Sequence, residues 1–254
     1  MLFRQIVFYS LLVGILSGFL LTLVQFWQVI PIIQSAERFE SKTVLISTPE
    51  HIHQAAIDVA EVHEHPEDVW TPAEGIERTG FTFLSNVLSG IGFAILIMVA
   101  IILSRRSNRT LQLDWRHGLL WGAAGYAIFF LAPSFGVPPG IPGAISAPLE
   151  TRQLWWLAAV LATATGLAGF AFGKSPWRWA APGLLVIPFL IGAPQAPTYV
   201  PANQSPAVTA ELVQLGKEFI SATAIANGAF WLALGLASVW TVRRIVSNIN
   251  KSMF

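Results

Sequence analysis

The chain has 254 residues, 54% of them hydrophobic and 11% charged, with a formal net charge of +1. Soluble domains carry about a quarter charged residues, so this composition excludes one and points to a bilayer. The lack of any basic block excludes a nucleic-acid binder, and the absence of cysteine excludes disulfides and thiolate metal sites.

A segment crossing the ~30 Å hydrocarbon core needs about 20 apolar residues and can satisfy its own backbone only as a helix. The expected fold is therefore an all-α integral membrane protein, a polytopic helical bundle forming a single membrane domain over 1–254. Six segments are predicted, at 6–30, 79–103, 117–133, 154–173, 179–192 and 219–242. The first follows Arg4 but is longer than the roughly 7 to 15 residues of a signal h-region, so it reads as a retained anchor. The fifth is short and contains Pro182 and Pro188, so a broken helix or re-entrant hairpin is the alternative, giving five spans. Small-residue pairs at Gly14 and Gly18, Gly118 and Gly122, and Gly169 and Gly173 are expected to let helices approach closely. Trp115, Trp121, Trp155, Trp156, Trp177, Trp179 and Trp240 are expected at the headgroup level.

Basic residues concentrate on the cytoplasmic side of membrane proteins. With six spans and a cytoplasmic N-terminus, that side holds ten of the fifteen basic residues: Arg4, Arg105, Arg106, Arg109, Arg116, Lys174, Arg178, Arg243, Arg244 and Lys251. The expected location is a bacterial inner membrane, with 31–78 as one acidic extracytoplasmic loop. With five spans, Arg243, Arg244 and Lys251 move outside, against the rule.

Four of the five histidines lie in that loop, His51, His53, His63 and His65, among Glu50, Asp58, Glu61, Glu64, Glu67 and Asp68. Imidazole and carboxylate together suit borderline divalent cations such as zinc, copper, nickel and cobalt. Ser47-Thr48-Pro49-Glu50 reads as a helix start and Pro66 as a stop. Residues two apart on a helix point about 200° from each other, so neither His-x-His pair chelates through a regular helical turn. His51 and His65 share a face with Asp58 but are about 21 Å apart along the axis, so one helix does not make a four-histidine site. An extended His63–His65 puts both imidazoles on one side, where Glu61, Glu67 or Asp68 can join them. The expectation is one or two hydrated sites, formed within one chain or between chains of a homo-oligomer. The opposing reading is an ordinary solvated loop. The three methionines are scattered, which argues against a thioether Cu(I) pathway.

A conducting path needs polar groups at membrane depth, where they are costly. The candidates are Gln25, Ser85, Asn86, Ser89 and Asn227, with Thr163 and Thr165 also inside a span. Ser85, Asn86 and Ser89 are read as sharing roughly one helix face. Hydrogen bonding that only holds the bundle together is the competing role. His117, near Asp114 and Arg116, is either a proton-sensitive group or an interfacial packing residue. No phosphate-binding Gly-x-x-x-x-Gly-Lys-Ser/Thr loop, Gly-x-Ser-x-Gly elbow or His-Glu-x-x-His run occurs, so neither an ATPase nor an intramembrane hydrolase is indicated.

Several stretches together carry a likeness: the start of the first span, His63-Glu64-His65 through Glu74-Gly75-Ile76-Glu77-Arg78, Gly118-Leu119-Leu120-Trp121-Gly122 followed by Pro133 to Gly143, Arg152-Gln153-Leu154-Trp155-Trp156, Ile187-Pro188 to Pro194, and Asn227-Gly228-Ala229-Phe230-Trp231. Along most of its length the chain resembles the CbtA-type family of proposed cobalt transporter subunits. That resemblance implies cobalt uptake across a bacterial inner membrane for cobalamin synthesis, with a small single-span CbtB-type partner bearing a histidine metal motif. It implies five spans where the charges favour six, and it supplies no ligand set. The expected function is a membrane subunit of a divalent cation importer and not an enzyme, with cobalt, or alternatively nickel or zinc, as the ion carried and no tightly bound cofactor. The alternative is a non-transporting membrane partner or assembly protein whose loop binds metal or docks another protein.

Overall fold

The computed structural model describes residues 2–46, 72–73, 75–107, 113–142, 144, 146–195 and 206–251. All regular structure among them is helical: α1 Leu2–Gln28, α2 Ile30–Ile46, α3 Ile76–Ser107, α4 Trp115–Gly136, α5 Leu149–Phe172, α6 Trp177–Ile191 and α7 Pro206–Lys251. Of these, α1, α3, α4, α5 and α7 are long and apolar enough to cross a membrane. Their outward faces are greasy: Leu12, Leu16, Phe19 and Leu23 on α1 and Leu84, Leu88, Leu96 and Leu103 on α3 are all exposed. In lipid such faces need no cover, because acyl chains are as apolar as leucine.

The expected loop over 31–78 begins as helix. The Val29 N–H bonds the Gln25 carbonyl at 2.8 Å and the Ile33 N–H bonds the Val29 carbonyl at 3.1 Å, so the hydrogen-bond ladder runs from α1 into α2. Pro31 has no N–H to give, yet it falls in the first turn of α2 and does not end the helix. Polar composition did not stop the helix, since propagation from a formed turn costs far less than nucleation. Ile32, Ile33 and buried Ala36 of α2 join one apolar cluster with Leu212, Leu215 and Phe219 of α7. The bundle thus extends past the end of α1 as two packed helices.

The core is α1, α3, α4 and α7, and the close contacts run through glycine. A Cβ on Gly14 would lie 2.4 Å from Ile91 and one on Gly18 2.6 Å from Val87, both on α3. Between α4 and α7, a Cβ on Gly122 would lie 2.5 Å from the Trp231 carbonyl and one on Gly235 2.4 Å from the Gly118 carbonyl. The expected small-residue contacts are therefore present, backbone against backbone. Where α4 approaches Pro133 it loosens to a π-helical turn, Ala127–Leu131. There Phe129 stacks on Trp231 at 5.3 Å, and Phe93 of α3 sits against both rings.

Trp155 corrects the interface expectation. It is buried, its ring fits where a Cβ on Gly136 would stand, and it meets Phe189 edge-on at 5.7 Å. The other six tryptophans named above are exposed or partly exposed.

The fifth predicted segment is α6, broken into Trp177–Ala180, a 3₁₀ stretch Ala181–Val186, and Ile187–Ile191. Pro182 and Pro188 fall at the starts of the second and third pieces, where a missing N–H is harmless. Gly192, at φ +94°, ends it. The segment runs antiparallel along α5: Gly173 lies by Arg178, Gly169 by Ala181, Gly166 by Leu185 and Trp155 by Phe189. At ~2.0 Å per residue the 3₁₀ stretch lengthens the segment to about 25 Å. Pro194 and Gln195 accordingly line a cavity of about 660 Å³ with Arg152, Ile33 and Phe219.

Candidate functional site

A cavity of about 670 Å³ lies between α1/α2 and α3. Polar lining comes from Gln25, Gln34, Arg78, Thr79 and Thr82, with Phe26, Val29, Ile33 and Phe83 between them. Thr79 and Thr82 hydroxyls donate to carbonyls of their own helix, Gly75 and Arg78, at 2.9 Å each.

At the floor, Asn86 Nδ2 donates to Gln25 Oε1 at 2.6 Å and to Thr22 Oγ1 at 3.0 Å, joining α3 to α1. The Thr22 hydroxyl in turn donates a hydrogen bond to the Gly18 carbonyl at 2.9 Å. The cluster is neutral and rich in oxygen. Amide and hydroxyl oxygens of this kind can replace some waters around a cation, but they supply no charge to hold it.

At the rim, Arg78 of α3 donates two hydrogen bonds to the Glu37 carboxylate on α2, at 3.1 and 2.5 Å. Both side chains are partly in water, 40% exposed for Arg78 and 30% for Glu37.

Of the predicted path residues, the structure brings Gln25 and Asn86 together. It turns Ser85 and Ser89 outward, exposed, because each residue step rotates a helix by about 100° and Asn86 faces α1. That corrects the shared face. Asn227 bonds the Thr223 carbonyl of its own helix at 3.0 Å. Thr163 is buried with its hydroxyl unpartnered, and Thr165 is exposed. His51, His53, Glu61, His63, His65, Glu67 and Asp68 lie outside the described residues, as does the predicted helix start at 47–50. Among the described residues no group of three or more His, Asp or Glu is arranged to hold a metal. Thr22, Gln34, Glu37 and Arg78 were not anticipated. A Thr-x-x-Gln spacing on the first span was the only signal, and Glu37 and Arg78 are too far apart in sequence to suggest a pair.

At the other end of the bundle, Asp114 caps α4. It accepts the His117 N–H at 3.0 Å and contacts His117 Nδ1 at 2.7 Å. The backbone bond first, and the ring second, hold the Asp114 carboxyl below the usual carboxylate range. His117 is thereby a cap partner, away from the cavity.

Compared with known protein families, residues 3–243 match the model described as a probable cobalt transporter subunit (CbtA). The chain belongs to the CbtA family. No curated protein and no solved structure matches it. CbtA membership makes this multi-pass chain a membrane subunit of a metal transporter, and a subunit implies partners. Several stretches that carried the likeness to CbtA are packing elements here: Gly118 receives Leu236, Gly122 receives the Trp231 carbonyl, and Trp155 fills the space over Gly136.

Proposed function

We propose that this chain is the membrane subunit of a divalent cation importer carrying cobalt for cobalamin synthesis, working with a small single-span CbtB-type subunit. The observation that carries the reading is the cavity between α1/α2 and α3. It reaches Gln25, which Asn86 holds by a hydrogen bond, and α2 and α3, which contribute to its walls, are the helices the histidine-bearing segment connects. Charge sorting supports a cytoplasmic N-terminus in a bacterial inner membrane, with α2 and residues 47–71 outside. In this reading His63 and His65, with His51 and His53, gather the ion, and Glu61, Glu67 and Asp68 add charge. Gln25 and Asn86 receive it below. Ser85, Ser89 and Asn227 drop out of the path. Cobalt follows from the family, while the residues alone accept nickel or zinc equally well.

The test is flux of cobalt, nickel and zinc into vesicles holding this chain with and without its small partner. Replacing His51, His53, His63 and His65 by alanine is expected to cut cobalt uptake several-fold at limiting metal and little at saturating metal. Unchanged uptake at limiting cobalt would remove the loop from the mechanism. The second reading, a non-transporting partner, is favoured by the aromatic packing of Phe93, Phe129, Phe230 and Trp231 at the bundle centre. Cobalt binding without flux, with the partner present, would select it.

A further inference from the structure

We propose that Glu37 is the first cation ligand of the cavity and that Arg78 is a tethered stand-in for the cation. This rests on the importer reading and adds a site to it. Glu37 stands on α2 and Arg78 in the first turn of α3, so their pair ties together the two walls of the cavity that Arg78 itself lines. Gln34, three residues before Glu37 on the same helix, also lines that cavity. Residues three apart on a helix are neighbours, so the Glu37 carboxylate and the Gln34 amide oxygen form a natural oxygen pair for a divalent cation that keeps several waters.

Two facts argue for exchange at this pair instead of a fixed strut. First, both side chains are partly exposed, 40% and 30%, so water and ions reach them. Exposed ion pairs are weakly held, and a displaced guanidinium here can turn to water at little cost. Second, the charge balance suits exchange. With Arg78 on Glu37 the two charges of the pair offset each other, and a dication that takes the carboxylate releases this tie between α2 and α3. Opening there would widen the way down to Gln25 and Asn86, which lie about 12 Å deeper by the eight-residue rise from Arg78 to Asn86.

A strut and a stand-in predict opposite signs. The probe is Co²⁺, titrated against the full-length chain in nanodiscs with His51, His53, His63 and His65 changed to alanine, so that loop imidazoles do not mask the site. Arg78→Gln is expected to bind Co²⁺ about fivefold more tightly, the weight of an exposed ion pair. Glu37→Gln is expected to bind at least ~10-fold more weakly, as is expected on losing a charged ligand. The swap Glu37→Arg with Arg78→Glu restores a pair but moves the carboxylate to α3, so it is expected not to recover Glu37-type affinity. If Arg78→Gln and Glu37→Gln move affinity the same way, or if neither moves it, the stand-in is wrong and the pair is a strut. Should Arg78→Gln not survive purification, Arg78→Lys is expected to show a smaller gain of the same sign. Vesicle flux of the unmutated chain separates the two levels. Flux with no shift in either variant overturns this site and leaves the importer, whereas the expected shifts without flux keep the site and overturn the importer.

Discussion

Asn86 reaches across the α1–α3 contact to Gln25 and Thr22, so one side chain both joins two helices and holds Gln25, which lines the cavity. Interhelical hydrogen bonds in membranes average only about 0.6 kcal/mol and reach about 1.7. Asn86→Leu should therefore cost about 1 kcal/mol of stability, read as a small shift of the melting temperature in detergent. Cobalt flux should fall much further than the folded fraction. A fall in proportion to folded protein would leave Asn86 as a packing residue only. The polarity of Gln25 and Asn86 inside apolar runs was visible in the sequence, because such groups are expensive in lipid. Their pairing was not, since it depends on the angle at which two helices meet. Ser85 and Ser89 looked equally good on polarity and lie on the exposed side.

Between elements, glycine decides how close the backbones come. At the α4–α7 contact a Cβ on Gly122 would stand 2.5 Å from the Trp231 carbonyl, and backbone cannot swing aside as a side chain can. Gly122→Ala should destabilise by about 1–3 kcal/mol, the usual cost of overpacking. Gly216→Ala, on the same α7 but with nothing within 4 Å, should instead be neutral or stabilising by up to about 1 kcal/mol through helix propensity. Thermal melts of the two variants beside the parent check this, and equal effects would refute the contact argument. The Gly-x-x-x-Gly spacings were legible in the chain because small residues at that period mark one helix face. The helical start of the segment after α1 was not. Its composition is that of a loop, and it stays helical because α1 hands it a formed turn and α7 covers Ile32, Ile33 and Ala36.

On the scale of the whole molecule the open count is the number of crossings. Among the described residues five helices meet the length and hydropathy of a span, and α6 does not, yet it runs back along α5 and delivers Pro194 and Gln195 beside Arg152 and Ile33. We expect six crossings on that ground. Because the chain has no cysteine, a single introduced thiol is unambiguous. In intact cells Gln195→Cys should react with a membrane-impermeant maleimide, and Lys174→Cys should react only after the membrane is opened. Both thiols reacting from the same side would make α6 a loop that does not cross.

The sequence by itself determined that the chain is a helical membrane protein, roughly where its spans lie, that the fifth is broken by proline, and which family it resembles. Those follow from local causes: apolar length against bilayer thickness, the missing proline N–H, and the period of small residues. Only the tertiary structure decided which polar residues meet. Gln25 finds Asn86 and Glu37 finds Arg78 across distances in sequence that carry no pairing signal, because both meetings are set by how α1 and α2 lie against α3.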